Sequence, residues 1–205
     1  NKFNFRVNND KFTVEIRYIR SYIRAHINWS NKWTMSVEIK YIKKNAKKPS
    51  NLVLFVNYNF NLNNLKNYIS KTEFSYINDL LKTSDLKKNI FVYELNSTKK
   101  IILISIKNNI KISDIENLGA EFYGRIDSGK KSEYFLNSDS IASKNDNFLG
   151  HFLHGVKLRS YEFEKYKTKK KTRHISINVQ GIYNKPSSKI QLKFKALEEG
   201  TFYAR

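Results

Sequence analysis

Few side chains in this chain are equipped for chemistry. There are four His (His26, His151, His154 and His174) and no Cys. Without Cys there is no thiol nucleophile, no disulfide scaffold and no Cys-ligated zinc site. His151 and His154 are three residues apart, so on a helix they would be neighbours able to share a metal. No His-Glu-x-x-His arrangement occurs, and no carboxylate stands where it would complete a set of ligands. The pair reads as helix-surface or packing histidines, and His174, at the start of a strand, as structural. Asp127-Ser128-Gly129-Lys130-Lys131 partly matches a phosphate loop. It lacks the first Gly and the Ser or Thr after Lys, and it follows a helix where the motif needs a strand, so it reads as a turn. Gly119, Gly124, Gly150 and Gly155 make no dinucleotide fingerprint and read as small residues that let helices pack closely. No nucleophile–base pair can be argued from spacing.

One tract offers a contact for anions or nucleic acid: Lys165, Lys167, Lys169, Lys170, Lys171 and Arg173, with Tyr166 among them. The same text also fits a solvated loop. The 205 residues carry a net charge of +20. Eight Arg stand against thirty Lys, whereas base and phosphate recognition favours the bidentate fork of Arg. Lys, Asn and Ile share A/T-rich codons, so biased coding with Lys on solvated faces explains much of the excess.

The elements that must position these residues follow from periodicity. A hydrophobic fraction of 40% and an aromatic fraction of 14% call for a packed core. Ser36 to Ile42 alternates like a first strand, and Asn51 to Val56 reads as a buried one. Leu62 to Leu81 is helical in two pieces. Ile90–Leu95 and Ile101–Ile106 read as strands joined in a hairpin through a polar turn. Ser113-Asp114-Ile115-Glu116 has the form of a capping box opening a helix to about Arg125. A short strand at Tyr134–Leu136 follows. Asn145 or Asp146 would cap a helix carrying Leu149, Phe152, Leu153 and Val156 and running past Tyr161. His174 to Val179 alternates as a strand, and after a break at Lys185-Pro186 a last helix carries Ile190, Phe194, Leu197, Thr201 and Ala204 on one face. Strands alternating with helices predict an α/β sandwich with a mixed sheet flanked by helices. No apolar run approaches the ~20 residues of a membrane span, and the lack of Cys fits a reducing cytoplasm.

Both ends read as cut. Residues 1–34 hold both Trp and four of the eight Arg, and Met35 is the only Met, so 1–34 reads as an extension ahead of a natural start. A domain is expected over 35–185. Residues 186–205 form a patterned helix without the usual stop signals, which reads as the start of a link to a further domain.

The segment Phe148-Leu149-Gly150-His151-Phe152-Leu153-His154-Gly155-Val156-Lys157-Leu158-Arg159-Ser160-Tyr161-Glu162-Phe163-Glu164-Lys165-Tyr166-Lys167-Thr168-Lys169-Lys170 resembles the helix and basic tail in the N-terminal domain of leucyl (cytosol) aminopeptidases. Glu199-Gly200-Thr201-Phe202-Tyr203-Ala204-Arg205 is similar to the family element that leads into the catalytic half, and Asn117-Leu118-Gly119-Ala120 resembles a central helix. The likeness runs from about Met35 to Arg205. It implies a macro-domain-like α/β sandwich with a mixed, mostly parallel sheet. It also implies a parent cytoplasmic enzyme that removes N-terminal residues from peptides with two divalent metals, Zn or Mn, and that assembles as a hexamer. The family's metal-binding "DSGG" and "NTDAEGR" elements are absent from this sequence, so no catalytic or metal residue carries over, no cofactor is expected in this part, and the chain alone is expected to be inactive. Its partners would be its own catalytic domain and other copies of itself, not a membrane. The alternatives are a nucleic-acid-binding module using the basic surface and a free-standing nucleotide binder of the macro-domain kind.

Overall fold

The computed structural model describes residues 37–42, 49–126, 131–143, 145, 147–161 and 174–204. All of them belong to one unit, Met35–Arg205. The expectations for 1–34, for the loop at 127–130 and for the basic tract 165–173 fall outside these residues.

Six strands form one sheet: β1 (Val37–Tyr41), β2 (Asn51–Asn57), β3 (Ile90–Asn96), β4 (Lys99–Ile106), β5 (Lys131–Asn137) and β6 (His174–Gln180). Their order is β1-β6-β5-β2-β4-β3. Every pairing is parallel except the β3–β4 hairpin. Four helices complete the fold: α1 (Lys71–Thr83), α2 (Ile112–Arg125), α3 (Phe148–Ser160) and α4 (Ser188–Ala204). The mixed, mostly parallel α/β sandwich expected from the sequence is therefore present.

Side-chain alternation explains why β2 and β4 are apolar throughout. Successive residues point to opposite faces, and parallel strands are covered on both. Val53, Phe55, Ile102 and Ile104 join Ile177 in one core with α2 and α3. Leu52, Leu54, Val56, Ile101 and Leu103 join Ile77 and Leu81 of α1 in the other. Phe152 of α3 lies at the centre of the first core, 5.3 Å from the Phe55 ring centroid and 5.5 Å from that of Phe122.

Helices α2 and α3 approach closely through two glycines. A Cβ at Gly119 would run into the carbonyl oxygen of Phe152, and one at Gly155 into that of Glu116. Gly150 makes room for the Phe194 ring, 2.6 Å from where a Cβ would sit. Gly124 differs from the expectation, because nothing lies within 4 Å of its Cβ position.

The helix ends also differ from the sequence pattern. α2 begins at Ile112 with Lys111 as its N-cap and no side-chain cap bond. Ser113 is thus inside the first turn, where its hydroxyl cannot serve the N3 amide. The capping box present is at α1, where Ser70 Oγ accepts from Glu73 N at 3.3 Å and Ser70 N donates to Glu73 Oε2 at 2.9 Å. α3 starts after Asn147 without a side-chain cap and stops at Ser160, because Tyr161 turns extended. β5 is longer than expected, since its polar residues Lys131 to Glu133 pair with His174 to Ser176.

Candidate functional site

The two histidines of α3 do not share a ligand. His151 Nδ1 lies 3.0 Å from Glu116 Oε1 on α2, and His154 Nδ1 lies 3.3 Å from Glu198 Oε1 on α4. A carboxylate acceptor places the proton on Nδ1 in each. The Phe194 ring fills the space against both imidazoles, at centroid distances of 5.0 Å and 5.1 Å. One turn of α3 thus sends each histidine to a different neighbouring helix, and both act in packing, as expected. His174 is exposed at the start of β6. Among the described residues no three His, Cys, Asp or Glu come together as a metal would need.

The polar contacts around Glu198 form a latch for α4. Along this helix Glu198 is the buried side chain, while Leu197, expected on the packed face, is exposed. Glu198 faces His154, and its charge also acts on Lys157 of α3 and Tyr41 of β1. Burial, reinforced by Glu198, pushes the Tyr41 phenol up to about 12. Burial lowers the Lys157 ammonium, against the opposing pull of Glu198 and Glu38, and its Nζ donates to Val37 O at 2.6 Å. These groups orient a helix.

The carboxyl edge of the sheet holds a second arrangement, which the sequence reading does not single out. β2 and β5 are neighbours, yet β2 leads away toward β4 and β3 while β5 leads toward β6. Parallel sheets bind ligands at such a switch point. Asn137 ends β5 there, and Ser138-Asp139-Ser140 follows it directly. Ser140 Oγ accepts from Phe55 N at 2.9 Å, in the middle of β2, and donates to Asn137 O at 2.7 Å. Asp139 accepts from the amides of Ile182 and Tyr183, beyond β6, at 2.8 and 2.6 Å through Oδ1, with Oδ2 3.0 Å from Ile182 N. Ser138 Oγ donates to Tyr183 O at 2.6 Å. Asn184, at φ 60°, donates through Nδ2 to Ser138 O and Ile141 O at 3.2 and 3.1 Å. The available signal was a run of small polar residues at the end of an apolar strand, facing a Gly at the end of the next.

Two cavities lie elsewhere. One of about 200 Å³ beyond β4 is lined by Ser105, Lys107, Asp114, Asn117 and Glu121. Another of about 450 Å³ runs along the edge strand β3 beside Tyr93 and Arg125. Neither pairs a nucleophile with a base.

No protein-family model matches the chain, and no curated protein matches it by sequence. Solved structures do. A tomato leucine aminopeptidase mutant superposes with a TM-score of 0.55 at 16% identity, over 81% of this chain and 36% of that one. The bottromycin maturation enzyme BotP in complex with Mn gives 0.51 at 8% identity, over 77% of this chain and 31% of that one. The macrodomain of Thermus aquaticus DarG gives 0.46 at 13% identity, over 71% and 99%. This chain shares its fold with a part of leucine aminopeptidase. It spans about a third of the length of the first two enzymes.

Proposed function

We propose that this chain is the non-catalytic N-terminal domain of a two-metal leucyl aminopeptidase, a cytoplasmic enzyme removing N-terminal residues from peptides, and that its own work is to support oligomer assembly. The fold shared with the tomato enzyme over 81% of the chain carries this reading. The text of α3 and of the end of α4 supports it independently through the residues quoted above. Two divalent metals, Zn or Mn, belong to the catalytic half under this reading. The described residues here do not fit them: His151 and His154 each face a separate carboxylate, and no three ligands converge. No catalytic step is therefore assigned to this domain.

The expected outcome is no hydrolysis of a leucine chromogenic substrate by the purified chain with Mn²⁺ or Zn²⁺ added. Robust metal-dependent turnover would overturn the reading. The net charge of +20 favours a second reading, nucleic-acid binding. Affinity for DNA should then be measurable at low salt and fall steeply as salt rises. Absence of binding at low salt removes it.

A further inference from the structure

Between the loops after β5 and β6, at the carboxyl edge of the sheet, sits an anion that belongs to the chain. Gly181, at φ +116°, turns the backbone so that the next two amides, of Ile182 and Tyr183, converge on one carboxylate. Successive N–H groups presented in this way form a concavity that binds anions such as phosphate. The turn requires glycine twice over. Its φ is one that side chains rarely adopt, and a Cβ would meet Ser138 Oγ and lie 2.9 Å from Asp139 Cγ. Ser138 and Asn184 tie the loop after β5 to the loop after β6, so the cradle is built from both sides. The Asp139 charge also helps hold the Tyr68 phenol above its ordinary value, after burial, which is the larger cause. Tyr68 lies in the connection from β2 to α1.

We infer that the loops after β5 and β6 form a phosphate-type anion cradle occupied by the chain's own Asp139 carboxylate, so that the native domain takes no external phosphate there and removal of Asp139 opens the cradle to one. This stands independently of the aminopeptidase reading.

The test uses the full 205-residue chain and its Asp139→Ala variant, ¹⁵N-labelled and titrated with inorganic phosphate. Ionic strength is held constant with chloride, because a chain of charge +20 collects anions unspecifically. In D139A the amide resonances of Ile182 and Tyr183 should move and saturate in the millimolar range. In the native chain they should stay in place over the same range, with any affinity at least tenfold weaker. A folded D139A whose two amides do not move overturns the inference, as does a native chain whose amides move equally. If D139A does not fold in chloride, phosphate at equal ionic strength should restore its native circular dichroism spectrum. Failure to restore both D139A and Asp139→Ser would equally overturn it.

Discussion

Single atoms decide where α2 and α3 can meet. Gly119 and Gly155 each face a carbonyl oxygen of the opposite helix, so even one methyl forces the helices apart. Gly155→Ala should lower stability by about 1–3 kcal/mol, the usual cost of overpacking a well-filled core. Gly124→Ala, in open space on the same pair of helices, should instead raise it by roughly 0.5–1 kcal/mol, because Ala is the better helix former. Urea denaturation of both variants reads the contrast, and equal effects would contradict the packing. The sequence shows four glycines along α2 and α3 but not which face a neighbour, since that depends on the contact between helices. The same limit hides Asp139. Its role arises only when the loops after β5 and β6, more than forty residues apart, are brought together.

At the scale of elements, caps and latches hold the helices to the sheet. Glu73 closes the capping box of α1 and pairs with Lys99 at the start of β4. Burial alone would raise its carboxyl, but the hydrogen bonds from Lys99 and Ser70 hold it below the ordinary value of 4.5. Since the folded pKa is depressed, the ionised group adds stability above the unfolded value, and that stability is lost as pH falls through the folded one. The advantage of the native chain over Glu73→Gln should therefore be constant near neutral pH and shrink below about pH 4.5, as read by denaturant midpoints across pH. Burial raises the Tyr41 phenol to about 12, and the charge of Glu198 on α4 adds to the rise. Glu198→Gln should bring it down toward its ordinary value of 10.0, followed by NMR of ¹³C-tyrosine. An unmoved resonance would mean that the Glu198 charge does not reach Tyr41. Strands buried on both faces, such as β2 and β4, are legible because apolar text continues through them. The polar start of β5 is not, since its partners in β6 rather than its own pattern make it a strand. The latch is equally hidden: helical spacing points to Leu197, yet the buried position belongs to Glu198, which finds His154 on another helix.

For the whole molecule, the class of fold was legible and its parallel strand order was not. Alternating strands and helices dictate two helical layers on one sheet. Which strands become neighbours depends on crossovers that leave no local trace. Under the proposed reading, the few catalytic side chains of this chain fit a part of an enzyme whose chemistry lies elsewhere. His151 and His154 pack, Glu73 caps, Glu198 latches, and Asp139 joins the loops after β5 and β6. The most direct measurement is to sequence the coding DNA beyond the Arg205 codon in the native source. The account predicts an open frame continuing through Asp-Leu-Val into the two metal-binding elements of a leucyl aminopeptidase. A stop codon at that point, or a frame encoding no such elements, would contradict it.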